Sequence, residues 1–277
     1  MTRIVCAQLA PKLGDLAANE SLTVAAVSSA TARGARVVVL PELATSGYVF
    51  ESQQQARQVA VTPEHPLFAR WSAAARGGVV IGGFCELGAD GLLYNSAAVV
   101  DGSGVVAVYR KTHLWDREKT VFAPGREEPP VVRTEMGRIG VLICYDLEFP
   151  EMPRSLALRG ADLIAAPVNW PLLPRPAGER APELLLAMAA ARANRVFVAC
   201  CDRSGTERGV RWTEGTALIG QDGWVLDEPG EDGLAAADVD MELARDKSLT
   251  AHADLLRDRR PGLYTALTSP KEPRGPA

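Results

Sequence analysis

Short apolar runs alternate along this chain with longer stretches that mix polar and apolar positions. By length and period the runs read as strands and the longer stretches as helices. Residues 3–10 read as a strand, 17–33 as a helix, 37–40 as a strand and 63–76 as a helix. Val79 to Glu86, Leu92 to Asp101 and Val105 to Lys111 read as three strands, with turns at Ala89-Asp90-Gly91 and Asp101-Gly102-Ser103-Gly104. After a loop rich in charge and proline come a strand at 139–144, a helix at 151–159, a strand at 162–168, a helix at 182–195 and a strand at 196–202. Two more strands fall around Gly215 to Leu226, and one runs from Leu234 to Asp240. Several strands are apolar on both faces, as expected where helices cover a sheet. The pattern implies an α/β fold. No internal repeat and no long linker divides it, so residues 1–267 read as one domain. The tail at 268–277 holds three prolines and no apolar period, and is expected to be mobile or to pack on a partner chain.

Composition narrows the function classes. With 277 residues, 47% hydrophobic and 23% charged, the chain is that of an ordinary globular protein, which excludes wholesale disorder. Net charge is −4 and no basic tract or aromatic-basic stripe occurs, so nucleic acid is set aside as a partner. The five cysteines are odd in number, form no CxxC pair and have no histidine cluster beside them. A zinc site and a disulfide scaffold are both disfavoured, and no metal is expected. The start, Met1 to Cys6, reads as a strand rather than a signal peptide, and no apolar run reaches membrane-spanning length. A reducing cytoplasm is the expected location.

The candidate chemistry lies at strand ends. The run Ile139-Gly140-Val141-Leu142-Ile143-Cys144 is followed by Tyr145-Asp146-Leu147-Glu148-Phe149-Pro150-Glu151, where Pro150 opens a helix. A thiol at such an elbow sits at the carboxyl edge of a sheet, where open α/β folds place their sites. Taken alone, Cys144 reads more simply as a small buried hydrophobe. Two other runs end alike: Val37 to Leu40 leads into Pro41-Glu42, and Val105 to Tyr109 into Arg110-Lys111. Each charge alone reads as a solvated strand terminus. Together the three ends supply a nucleophile, a base and a cation, the roles acyl transfer at a thiol requires.

These segments resemble the signature of the nitrilase, or carbon–nitrogen hydrolase, superfamily with its Glu–Lys–Cys triad. Val5-Cys6-Ala7-Gln8, Asp15 and Asn19, Tyr94-Asn95-Ser96, Tyr109 to Leu114, Phe122-Ala123-Pro124-Gly125 and Arg260-Pro261 fall where that family has them. The resemblance covers roughly residues 3 to 264 and implies a four-layer αββα sandwich working as a homodimer or higher homo-oligomer. It implies no cofactor. It makes Cys144 the nucleophile, Glu42 the general base and Lys111, with the backbone N–H of Tyr145, the stabiliser of the oxyanion. Glu118 is expected to hold Lys111 and position the substrate nitrogen, ahead of nearby Asp116. A free thiol titrates near ~8.5, so a neighbour must take its proton. His65 in a loop, His252 in a polar helix and His113, expected to make a structural hydrogen bond, make a Cys–His dyad a minor reading.

Cys144-Tyr145-Asp146 resembles the amidase branches, where nitrilases typically have Cys-Trp-Glu. The implied partner is a small carboxamide substrate, neutral or amine-bearing, hydrolysed through a thioester. N-carbamoyl amine hydrolysis is the alternative, followed by nitrile hydrolysis, and a catalytically retired binding protein is the alternative of another class. Carboxylate-binding relatives carry arginine shortly after the cysteine, where this chain has Leu147 and Glu148. Glu148 therefore either favours a cationic or neutral substrate, or caps the next helix or pairs with Arg154 or Lys111. Tyr48, Asn169 and Trp170 complete the candidate substrate-binding residues.

Overall fold

Strand β1 (Thr2–Ala7) sends Ile4 and Cys6 into one apolar cluster and Val5 and Ala7 into another, and all four are buried. Strand β2 (Val37–Val39) repeats this, with Val37 and Val39 on one side and Val38 on the other. The two-residue period of a strand produces this split, and burial on both faces means that both are covered. In the computed structural model, which describes residues 1–269, these strands belong to a six-stranded sheet. Its other members are β3 (Val79–Leu87), β4 (Leu93–Asp101), β5 (Gly104–Arg110) and β12 (Leu234–Val239), in the order β12-β1-β2-β3-β4-β5. Strands β1, β2 and β3 run parallel, and the rest pair antiparallel.

A second six-stranded sheet is built from β6 (Val131–Thr134), β7 (Gly137–Val141), β8 (Leu163–Pro167), β9 (Phe197–Cys201), β10 (Ala217–Ile219) and β11 (Val225–Asp227). Their order is β11-β10-β9-β8-β7-β6, with β7, β8 and β9 parallel. The inner faces meet, as Ile4, Val37, Val39 and Ile81 pack in one cluster with Ile139, Val141, Leu163 and Ala165. Helices α1 (Leu16–Ala32) and α3 (Pro66–Ala75) cover the outer face of the first sheet, where Val27, Leu67 and Trp71 join Val5, Val38 and Val80. The Trp71 indole N–H donates to Thr23 Oγ1 at 3.0 Å and ties α3 to α1. Helices α5 (Glu151–Leu158) and α6 (Pro182–Asn194) contribute Leu156, Leu184, Ala187 and Ala191 to the second sheet's cluster. The layers are therefore helix, sheet, sheet, helix. Each buried Val, Leu or Ile contributes roughly 1.5–3 kcal/mol, so the sandwiched interior dominates stability.

Several details depart from the sequence reading, among them β6, which lies in the stretch that reads as a loop rich in charge and proline. Strand β7 ends at Val141, not Cys144, because the chain leaves the ladder to enter a tight turn. His252 sits in a turn between the short strands Ser248–Thr250 and Ala253–Asp254, not in a helix, since the segment is too short and too polar to bury a helical face. A five-residue helix α2 (Gln53–Arg57), capped by the Ser52 side chain, was not foreseen. The tail at 268–277 falls, but for its first two residues, outside the described residues. No helix among the described residues is long and apolar enough to cross a membrane.

Candidate active site

Three strand ends converge between the two sheets. After β2 the chain turns at Pro41–Ser46, and Leu43 adopts the left-handed conformation with φ 48°. A Cβ on Gly83 would lie 2.3 Å from the Leu43 nitrogen, so glycine in β3 is what lets this turn press onto the sheet. The turn carries Glu42. Lys111 follows β5 directly, and its backbone is fixed on both sides: its N–H donates to Asn95 O and its carbonyl accepts from Gly125 N–H, each at 2.8 Å. Cys144 opens a single 3-10 turn, Cys144–Glu148, with φ 47°. A non-glycine residue held there is strained, and such strain is tolerated where the surroundings over-determine it.

The Asp146 carboxylate supplies that constraint. Its Oδ2 accepts from Ile143 N–H at 3.1 Å and from the Tyr109 hydroxyl at 2.8 Å. Its Oδ1 accepts from His113 N–H at 3.1 Å and lies 2.8 Å from His113 Nδ1. The His113 ring stacks on Phe149 with centroids 3.7 Å apart. His113 thus braces the elbow, as expected of a structural hydrogen bond. His65 caps α3, where Nδ1 accepts from Leu67 N–H at 3.3 Å. Among the described residues the Tyr145 N–H makes no hydrogen bond, as the first amides of a helical turn characteristically do not.

The charged groups form one buried network. Glu42 Oε1 accepts from Lys111 Nζ and from Asn95 Nδ2, both at 2.7 Å. Lys111 Nζ also donates at 2.8 Å to Oε1 of Glu118, which opens the short helix α4 (Glu118–Val121). That oxygen takes a second, short hydrogen bond from the Tyr48 hydroxyl, and Glu118 Oε2 accepts from Trp115 N–H at 3.2 Å. Asp116 is exposed, so the structure brings Glu118 and not Asp116 to Lys111. Asn169 lies on the same side: its Nδ2 donates to the Glu42 carbonyl at 2.8 Å, and its own carbonyl oxygen lies 3.9 Å from Cys144 Sγ. An ammonium has three donors and a carboxylate two oxygens. Among the described residues Lys111 has spent two donors on side chains, and Glu42 Oε2 is buried with no partner. One proton donor and one proton acceptor are left unspent on the two groups whose charges act on the Cys144 thiol.

Burial governs titration here. It pushes Glu42 up to about 7, while Lys111 and the Asn95 hydrogen bond oppose the rise and Glu118 adds to it. Burial alone would lower Lys111, but Glu118 and Glu42 outweigh it and hold the ammonium well above the usual lysine range. The Cys144 thiol is raised, first by burial and then by Glu42, with Lys111 pulling the other way. At neutral pH the resting site therefore holds a protonated thiol beside a carboxyl group poised near its own midpoint.

Other predicted residues fall in different settings. Trp170 is buried, its backbone N–H donating to Asp202 Oδ1 at 3.1 Å and its ring packed against Gly215. Glu148 is half-buried and raised, first by burial and then by the charge of Glu183 on α6, with Lys111 pulling the other way. Among the described residues Glu148 pairs with neither Arg154 nor Lys111. Arg154 instead donates to the Ala193 carbonyl at 2.8 Å. In the sequence Asn95 and Asp146 appear within motifs but carry no assigned role. Both had a signal: Asn95 is a polar residue inside an apolar strand, and Asp146 lies two places past the thiol.

The carbon-nitrogen hydrolase family profile matches residues 3–247. The chain belongs to that family. This carbon-nitrogen hydrolase is 34% identical over 271 residues to a nitrilase of Pyrococcus abyssi, covering 95% of this chain and 99% of the relative. It is 33% identical over 261 residues to an (R)-stereoselective amidase of a Pseudomonas species, covering 93% and 91%. Among solved structures it is similar to an amidase from Nesterenkonia sp. AN1, with a TM-score of 0.77, 27% identity, and 96% and 100% of the two chains covered. That structure is a glutamate-to-glutamine mutant in which acrylamide has added to the active-site cysteine.

Proposed function

We propose that this carbon-nitrogen hydrolase is an amidase that cleaves a small carboxamide to its acid and ammonia, with Cys144, Glu42 and Lys111 as its catalytic residues. The observation that carries the reading is the pair of unspent valences, Glu42 Oε2 and the third Lys111 donor, on the two groups whose charges act on the buried Cys144 thiol. Glu42 takes the thiol proton as Sγ attacks the amide carbon. The developing oxyanion accepts from Lys111 Nζ and the Tyr145 N–H. Preorganised donors of this kind are worth on the order of 10²–10³ in rate each. Glu42 returns the proton to nitrogen, the C–N bond breaks, ammonia leaves and a thioester remains. Water then attacks the thioester carbon while Glu42 takes its proton, and collapse releases the acid and the thiolate, which regains the proton from Glu42. A carboxyl group near 7 suits both directions of transfer at neutral pH. Glu118 holds Lys111 in place, and the unpaired Asn169 Oδ1 offers an acceptor to the substrate N–H.

The buried triad, with Cys144 only 5% exposed, favours a small acyl group. Glu148 and Glu183 act on each other as like charges near the elbow, opposed only by Lys111, and among the described residues neither makes an ion pair, which supports a neutral or amine-bearing substrate over an anionic one. The amidase and covalent-adduct relatives support the reaction class. An ammonia-release screen over carboxamides, N-carbamoyl amines and nitriles tests it, with Cys144→Ala as control. The expected result is release from ω-amino or neutral amides, abolished in the variant, with a preference over ω-carboxy amides of equal length that narrows in Glu148→Gln. Release by Cys144→Ala, or a wild-type preference for the ω-carboxy amide, would overturn the respective part of the reading.

A further inference from the structure

Behind the Lys111–Glu118 pair lies a second buried charge pair that the proposed reaction does not use. Thr206–Glu207 and Val210–Arg211 form a small hairpin, and Glu207 on it is 6% exposed. Its Oε1 accepts from the backbone N–H groups of Tyr48 and Val49 at 2.8 and 2.5 Å. Its Oε2 accepts from Arg203 Nη1 at 2.7 Å. Arg203 is also buried, donates through Nη2 to the Pro11 carbonyl at 2.9 Å, and sets its guanidinium 4.6 Å over the Trp212 ring. Trp212 in turn meets the Tyr48 ring edge-on, with centroids 5.5 Å apart. The chain before Tyr48 is pulled hard against this carboxylate. A Cβ on Gly47, whose φ is 77°, would lie 2.8 Å from Glu207 Oε2 and 2.6 Å from Leu13 Cα.

We infer that Glu207, with Arg203 and Trp212 behind it, is a positioning residue that sets Tyr48 and, through it, the Lys111–Glu118 pair. This rests on the amidase reading above. Tyr48 is gripped at three points: its amide by Glu207, its ring by Trp212 and its hydroxyl by Glu118 Oε1. Glu118 Oε1 is the oxygen that also holds Lys111. A buried ion pair seldom improves stability over an apolar pair of the same volume. An apolar pair, however, cannot accept two adjacent backbone N–H groups, and here those groups belong to the residues that carry Tyr48. Without the Glu207 carboxylate, Tyr48 loses its anchor, Glu118 Oε1 keeps Lys111 as its one partner, and the ammonium is drawn towards Glu118. Misplacement of a positioned group by about 1 Å costs up to ~10²-fold in rate.

A double-mutant cycle reads this chain of contacts directly. Glu207→Ala is expected to lower kcat by ~10–10²-fold with KM changed less than about threefold. Glu207→Gln, which keeps the acceptor oxygen, should restore most of the loss. In a Tyr48→Phe background, whose Glu118 no longer receives the hydroxyl, Glu207→Ala should cost less than ~3-fold more in kcat, while lowering the melting temperature as much as it does in wild type. Should Glu207→Ala fail to fold, Glu207→Asp, shorter by one methylene, takes its place in the same cycle. If the kcat losses multiply, or if Glu207→Ala lowers the melting temperature while leaving kcat within twofold, the inference falls. If wild type releases ammonia from no carboxamide, N-carbamoyl amine or nitrile, the amidase reading itself fails.

Discussion

Arg110 and Lys111 are neighbours in sequence, and each meets a buried glutamate, yet the two pairs are of different kinds. Arg110 faces Glu86: Nε lies 3.1 Å from both carboxylate oxygens, and Nη2 donates to Oε1 at 2.5 Å. Ser96 Oγ donates to Oε2 at 2.5 Å. Both Glu86 oxygens are thereby used, and the planar fork of arginine fixes the geometry. Lys111 points to the opposite side, and its point-like ammonium is divided between Glu42 and Glu118. Among the described residues Glu42 Oε2 has no partner. A saturated pair can only hold strands together. A pair with an open acceptor and an open donor can pass a proton and receive a charge. The two glutamates are alike in burial, although Arg110 reaches solvent and Lys111 does not; what sets the glutamates apart is valence count.

The comparison breaks most visibly at Glu42. Glu42→Gln keeps the shape and a hydrogen-bond acceptor for Lys111 but cannot take a proton, so kcat should fall by at least ~10³-fold with the melting temperature unchanged or higher. Its titration gives a second reading of the same residue. Burial raises Glu42 to about 7, so the proton-accepting form is lost as pH falls through 7 rather than through the ordinary glutamate range. The kcat/KM profile should therefore carry an acid limb near 7. A limb near 4.5, the unperturbed value, would mean that burial does not set the base.

Lys111→Arg comes next. It preserves the charge, but a planar fork cannot divide itself between two carboxylates and an oxyanion as an ammonium does, so a loss of about 10²-fold in kcat is expected with little change in melting temperature. Near-normal turnover would remove Lys111 from the oxyanion site. Arg110→Met should do the reverse. It leaves Glu86 buried with only Ser96 as a partner, which costs roughly 2–3 kcal/mol of stability, and kcat should stay within about threefold of wild type. A large kcat loss there with unchanged stability would erase the distinction between the pairs.

What the sequence made legible follows from the reach of its patterns. Strands and helices with sustained periods were readable, because the sandwich buries both sheet faces. Glu42, Lys111 and Cys144 stood out because a charge or thiol ending an apolar run interrupts a strong local signal. The end of β7 was hidden: Leu142 and Ile143 are as apolar as the strand, and only the backbone turn at Cys144 shows that pairing has stopped. Asp146 was quoted but not weighed, since its role is to accept from groups as distant as Tyr109 and His113. Glu207 left no trace, because its hairpin is two residues per strand and its partners Tyr48 and Val49 lie 159 and 158 residues away. Long-range polar contacts of this kind carry no periodicity to read.

On the proposed mechanism Cys144 is the one thiol among five that bears the acyl group. Rapid-quench mass spectrometry with a slowly turned-over carboxamide tests it most directly, in wild type and in Cys144→Ala. The account predicts an acyl adduct on the peptide containing Cys144 that hydroxylamine discharges, as a thioester requires, and no adduct in the variant. An adduct on another cysteine, or steady ammonia release by Cys144→Ala, would contradict it.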